Sequence, residues 1–170
     1  MTLPDTSADT SIQLVGLDET FELRRAVLRP WMTPAEAAAP YIAADDHFHV
    51  GALQGGKVVS TAGFMAEAQP DYTEVFGPAQ WRLRGMASDP SVQGKGLGGR
   101  VLEFGVEELA RRLAARGEDG AVVWCNGRTV AQTFYERHGF QAIGALFETP
   151  RTGTHYVFWR KVEVGPSGGI

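Results

Sequence analysis

The sequence predicts a single-domain α+β fold: a mixed, mostly antiparallel sheet flanked by helices, with a strand, a glycine loop and a helix at its centre. Three observations predict it. The β-prone runs 47–53 and 57–64 are separated by Gln54-Gly55-Gly56, a hairpin signal. The run Ala121-Val122-Val123-Trp124-Cys125 is continuously apolar and of strand length, the pattern of a buried parallel strand. Between these, Leu102, Val106, Leu109 and Leu113 recur at steps of four, three and four, which puts one apolar stripe on a crossover helix over 97–115. A chain of 170 residues with 44% hydrophobic and 21% charged content is long enough for one core and too short for two ordinary enzyme domains.

Each element has its own local signal. Residues 1–10 are polar and aperiodic, and the end Gly165-Pro166-Ser167-Gly168-Gly169-Ile170 is turn chemistry, so 1–10 and 164–170 are expected to be disordered around a domain at 11–163. Ile12-Gln13-Leu14-Val15 reads as a first strand; Asp18 caps a helix that stops before Pro30, and a second helix starts at Thr33-Pro34. A loop rich in Pro, Asp and Gly at 69–80 leads to a strand at 81–87 and is placed to border a substrate site. On the crossover helix, Glu107 faces Arg111 and Glu108 faces Arg112 at i, i+4 spacing. Thr129-Val130-Ala131-Gln132 reads as a T-x-x-Q capping box for a helix through Phe134 and Arg137 that ends at Gly139. Strands at 140–147 and 155–161 complete the sheet.

Composition excludes several classes. A net charge of -4 and a pI near 5.6 supply no general basic field, so no nucleic-acid partner is expected. The single cysteine, Cys125, rules out an intramolecular disulfide framework and a Cys-based zinc site, and reads as a small core residue. With no basic n-region, apolar h-region or long apolar run, a cytoplasmic protein without a membrane partner is the expectation. His47 and His49 share one strand face, but without further ligands at matching spacing no metal is predicted.

The chemistry lies in Gln93-Gly94-Lys95-Gly96-Leu97-Gly98-Gly99. A diphosphate needs many donors at short range, and a glycine turn opening a helix supplies bare N–H groups and the positive end of the helix dipole. Gly94, Gly96 and Gly99 also spell the dinucleotide fingerprint G-x-G-x-x-G. That reading wants an acid ending the next strand, where this chain has Cys125 and Asn126, and the residues that remain are too few for a second half. A P-loop fails because Lys95 is followed by Gly96 and not by Ser or Thr.

Four features then coincide in order: a strand ending Gly85-Met86-Ala87-Ser88-Asp89-Pro90, Q-x-x-G-x-G at Gln93, Gly96 and Gly98, Asn126 after the next strand, and Ala131-Gln132-Thr133-Phe134-Tyr135-Glu136-Arg137-His138-Gly139-Phe140. Residues 83–161 thereby resemble the GCN5-related N-acetyltransferase (GNAT) superfamily. The resemblance implies that acetyl-CoA is the acyl donor and that the backbone of Met86 and Ala87 pairs with its pantetheine arm as an added strand. It implies that residues 93–99 hold the diphosphate, with Lys95 or Arg128 meeting a CoA phosphate, that Asn126 hydrogen-bonds the pantetheine chain, and that the Tyr135 hydroxyl stands near the thioester sulfur as general acid. Asn126 also reads as a cap, and Tyr135 as a packed helix aromatic.

Amine attack on a thioester needs a neutral amine, a stabilised oxyanion and a proton for the leaving thiolate. The Ala87 N–H suits the oxyanion. Relatives carry the base as an acid on the strand before the loop, where this chain has Arg82 and Arg84, so Glu67, Glu148 and His155, at predicted strand ends, are the candidates. The acceptor expected from the resemblance is a primary amine of a small molecule or peptide, attacking directly in a ternary complex; a homodimer is the assembly the resemblance suggests. Asp45, Asp46, Glu67, Asp71 and Glu74 read either as a lure for a cationic amine or as solvated loop charges. The alternatives are a catalytically silent acyl-CoA sensor or interaction module and, behind it, a nucleotide-dependent oxidoreductase.

Overall fold

The computed structural model describes residues 9–165; the ends read from the sequence as disordered lie for the most part outside them. Seven strands and five helices follow in the order β1 (Thr10–Val15), α1 (Phe21–Val27), α2 (Pro34–Ala43), β2 (His47–Gln54), β3 (Lys57–Ala66), α3 (Thr73–Phe76), β4 (Gln80–Ser88), α4 (Leu97–Ala115), β5 (Gly120–Arg128), α5 (Gln132–Arg137), β6 (Gln141–Thr149) and β7 (Gly153–Glu163). The strands form a mixed sheet ordered β1-β2-β3-β4-β5-β7-β6. By internal packing, this single domain comprises two compact units: the chain to Met65 with Gly85–Gly105, and Ala66–Arg84 with the chain from Val106.

In the first unit β1, β2 and β3 are antiparallel neighbours. The β2–β3 turn is made by Gly55 and Gly56 with φ of 58° and 76°. Two positive φ values in succession are the geometry that twists a hairpin correctly, and glycine adopts them without steric cost. Leu23, Val58 and Ala87 form a buried cluster bordered by Val15, Val27, Leu28 and Leu53, so α1 packs on the sheet through its apolar stripe. Gly105 of α4 has no side chain because the ring of Phe64 on β3 occupies the place a Cβ would take.

In the second unit β4 runs parallel to β5, and β7 lies between β5 and β6, antiparallel to both. Phe76, Val122, Trp124 and Val157 form its core, with Tyr72, Ile143, Phe147 and Trp159 packed against them. The stripe expected on α4 is buried throughout: Leu102, Val106, Leu109 and Leu113. On its outer face Glu108 accepts from both Arg111 at 2.8 Å and Arg112 at 3.1 Å.

Three local expectations need correction. Asp18 does not cap α1: it lies inside a 3-10 turn at Asp18–Thr20, and Thr20, the residue that precedes α1, makes no side-chain cap. Thr129 does not cap α5: residues 129–131 form a 3-10 turn, Ala131 is the residue that precedes α5, and no side chain caps it. A capping box needs its threonine at the extended entry residue, and Thr129 is already inside the turn. The box occurs instead at Thr33 and Glu36, where the Thr33 hydroxyl accepts the Glu36 N–H at 3.2 Å and the Glu36 carboxylate accepts the Thr33 N–H at 3.4 Å. Asn126 does not follow a strand: β5 runs on to Arg128 because its ladder with β7 continues through Asn126↔Val157 to Arg128↔His155.

Candidate active site

In the first unit the glycine loop hangs between two fixed points. The Asp89 N–H donates to Val59 O at 2.8 Å, and the Asp89 carboxylate accepts from the Ser91 N–H and hydroxyl, which hold its pKa below the ordinary value. Val92 is buried, and the Gln93 side-chain amide donates to Ser88 O at 3.0 Å, so this neutral side chain braces the loop on the end of β4. Gly94 and Gly96 then take φ of 79° and 81°, and the loop enters α4 at Leu97. Arg100 is the first residue of α4 seen to donate back, to Gly96 O at 3.2 Å. The N–H groups of Leu97, Gly98 and Gly99 thus lie ahead of the helix's own ladder. Lys95 and Arg100 are exposed beside them. Met86 and Ala87 stand on the part of β4 that belongs to this unit, Ala87 buried and Met86 half-buried.

The other predicted residues belong to the second unit. Asn126 and Arg128 are exposed on β5, alternating with the buried Cys125 and Gly127. The parallel register of β5 with β4 covers Gln80↔Val122 to Arg82↔Trp124, whereas its antiparallel ladder with β7 covers all of β5. Tyr135 stacks on Phe158 with ring centroids 4.8 Å apart and meets Phe140 edge-on. Its hydroxyl hydrogen-bonds the Cys125 thiol; burial, with Cys125 beside it, raises the phenol well above its ordinary value. Burial likewise pushes the Cys125 thiol up to about 12. A thiol held protonated in a strand is a core residue and no nucleophile.

The three base candidates differ in what already engages them. Glu67 accepts from Arg82 at 3.0 Å, and the same guanidinium lies 4.8 Å over the Trp124 ring. Glu148 is exposed on β6 opposite Thr154. His155 is buried, stacks on Phe147, and places Nδ1 2.7 Å from Gly153 O. A carbonyl only accepts, so Nδ1 carries the proton and Nε2 the lone pair.

A cluster whose arginine carried no sequence signal completes the first unit. Arg24 is buried on α1 and donates to Gly85 O at 2.9 Å and Thr20 Oγ1 at 2.8 Å, while Nη2 lies 3.1 Å from His49 Nδ1. His47 and His49 do share a strand face, with Nδ1 of His47 3.1 Å from Nε2 of His49. Among the described residues no group of three or more His, Cys, Asp or Glu is gathered as a metal ion would need. No helix among them is long and apolar enough to cross a membrane.

A hairpin sheet, a parallel β4–β5 step and a glycine loop opening a long helix define an acetyltransferase fold. The chain belongs to the GNAT family: residues 42–142 match the Acetyltransferase (GNAT) domain, and the protein is an N-acetyltransferase. The uncharacterized N-acetyltransferase YitI of Bacillus subtilis (strain 168) is 28% identical over 150 residues, covering 88% of this chain and 94% of that one. The ribosomal-protein-S18-alanine N-acetyltransferase of Escherichia coli superimposes with a TM-score of 0.65 at 17% identity, over 94% of this chain and 97% of that one. An aminoglycoside 6'-N-acetyltransferase complexed with coenzyme A gives 0.66 at 13% identity, over 92% and 99%. Likeness at that identity is likeness of fold.

Proposed function

We propose that this protein transfers the acetyl group of acetyl-CoA to a primary amine of a small molecule or peptide, by direct attack in a ternary complex. The observation that carries the reading is the loop at Gly94 and Gly96. Both take left-handed φ, and a Cβ built on either meets no atom within 4 Å among the described residues. The loop is therefore open in front of the unladdered N–H groups of α4, which is the cradle a diphosphate needs. The coenzyme A bound to the aminoglycoside acetyltransferase supports the same donor here.

Acetyl-CoA, when bound, supplies an activated acyl thioester. In this reading the N–H groups of residues 94–99 hold the diphosphate, and Lys95 or Arg128 meets a phosphate. The backbone of Met86 and Ala87 aligns the pantetheine arm, Asn126 hydrogen-bonds it, and the Ala87 N–H faces the developing oxyanion. Tyr135 keeps its proton across the working pH range and offers it to the leaving sulfur. For the base we favour His155 over the other two candidates: its Nε2 holds a lone pair in a fixed tautomer, Glu67 is already engaged by Arg82, and Glu148 is exposed.

Calorimetric titration with acetyl-CoA tests this, repeated on Gly96→Glu. The variant forces a side chain into a left-handed residue and sets a carboxylate against the phosphates. Micromolar binding that the variant loses, while its circular dichroism stays that of the wild type, supports the reading. No acetyl-CoA binding by the wild type overturns it, and binding without thiol release for any amine favours the sensor reading.

A further inference from the structure

Arg24 is a buried charge held only by neutral groups. Its nitrogens meet a carbonyl, a hydroxyl and a ring nitrogen, its guanidinium lies 5.0 Å over the Tyr41 ring, and among the described residues no carboxylate partners it. A buried cation without an opposite charge is costly, and this one is desolvated enough that its pKa is lowered. The structure holds it in place all the same, because Gly85 has φ of 69° and a Cβ there would collide with Tyr41 Oη and lie 2.7 Å from Arg24 Nε.

The charge sets the direction of a hydrogen-bond relay. Arginine has no lone pair, so His49 Nδ1 must accept from it. His49 is neutral, its pKa lowered to about 3 by burial, by Arg24 and by His47. A neutral ring that accepts at Nδ1 carries its proton on Nε2, and that N–H donates to His47 Nδ1 at 3.1 Å. Neutral His47 is therefore left with its own proton on Nε2. It presents a donor and has no lone pair to offer as a base. Unlike His49 it is only half-buried, at the first position of β2.

We propose that His47 is a specificity-determining residue for the acceptor: its Nε2–H donates to a carboxylate oxygen of the amine that is acylated. Arg24 and His49 are positioning residues that fix its tautomer and add a positive charge behind it. The location suits this role, and here the inference rests on the acyl-transfer reading. Arg24 holds the carbonyl of Gly85, the residue just before Met86 and Ala87, so the Arg24 end of the relay lies beside the β4 backbone assigned to the acyl arm. The acceptor class is then an amine that carries a carboxylate, of amino-acid type, in place of the purely cationic amine that the acidic loop residues suggest.

The test has a readout independent of turnover. In nitrogen-15 spectra of histidine-labelled protein at about pH 8, where an ordinary histidine is neutral, His47 and His49 should both be Nε2–H tautomers. An Nδ1–H tautomer at His47 overturns the proposal. With CoA present, the proteinogenic amino acids and their carboxamides are then titrated as probes. At least one free carboxylate should shift the His47 Nε2–H signal about tenfold more tightly than its amide, the scale of one hydrogen bond to a charged group. His47→Leu should abolish the preference. His47→Gln should keep part of it, since the amide oxygen can accept from His49 while its N–H points outward, and this covers the case in which the leucine variant folds poorly. Equal response to acid and amide throughout the set overturns the proposal. Acetyl-CoA calorimetry on the same samples separates the two ideas: failure of wild type to bind it sinks acyl transfer, while the histidine signals still decide for or against the carboxylate.

Discussion

Gly127 seats the ring of Tyr135: a Cβ at position 127 would lie 2.5 Å from Tyr135 Cε2 and 2.6 Å from Phe158 Cδ2. The close approach brings the Tyr135 hydroxyl to the Cys125 thiol on the same strand. Gly127→Ala should cost about 1–3 kcal/mol in urea unfolding as the two rings are pushed apart. It should also lower turnover more than acetyl-CoA affinity. An unchanged unfolding midpoint would mean that the rings yield freely and that the seat is not tight.

Tyr135→Phe tests the proposed proton donor directly. The phenol is held well above its ordinary value by burial and by Cys125, so it stays protonated and its removal should act alike at every working pH. Thiol release should drop by about 10²-fold, the usual scale for a general acid, with acetyl-CoA affinity kept. Turnover that matches wild type across the pH range would remove Tyr135 from the mechanism and leave it a packed aromatic.

His49 makes stability depend on pH. Its folded pKa is lowered from 6.5 to about 3, so below 6.5 the unfolded chain takes up a proton that the folded one refuses. Arg24, His47 and Tyr41 surround the ring, and none of them is an acid that could stabilise the imidazolium. This stability is therefore whole above pH 6.5 and falls toward about pH 3, by up to about 1.4 kcal/mol per unit. Denaturation midpoints measured across that window should fall more steeply for the wild type than for His49→Gln. Parallel slopes would show that His49 is protonated in the fold.

Thr33→Ala should cost about 1 kcal/mol of stability, because it removes the hydroxyl that accepts the Glu36 N–H in the capping box of α2, while the bond from the residue-33 N–H to the Glu36 carboxylate remains. Thr129→Ala should cost measurably less, since the Thr129 side chain caps nothing. Equal losses in thermal melts would return the capping role to Thr129.

Much of the fold was legible because its signals are local. Gly55-Gly56 predicts a hairpin since only positive φ closes that turn, and the α4 stripe predicts a buried face since its spacing matches the helical period. The loop at 93–99 was legible for the same reason, being glycines placed where a strand hands over to a helix. What local pattern could not supply was partners. T-x-x-Q occurs as a string at 129–132, but whether a threonine caps depends on where the turn before it begins. The extent of β5 past Cys125 depends on a ladder with β7, about thirty residues away in sequence.

By itself, the sequence determined the α+β class, the hairpin, the crossover helix and the glycine loop that opens it, because each is written in residues close along the chain. Only the tertiary structure decided that β7 enters between β5 and β6 and that Glu67 is engaged by Arg82. The same holds for His47, read from the sequence as one of two histidines on a strand face. It becomes a donor through Arg24, which lies twenty-five residues from His49 and is buried beside it only once α1 packs on the sheet. Periodicity records which face of an element is buried, whereas the direction of a hydrogen bond depends on which atom arrives opposite, and folding alone sets that.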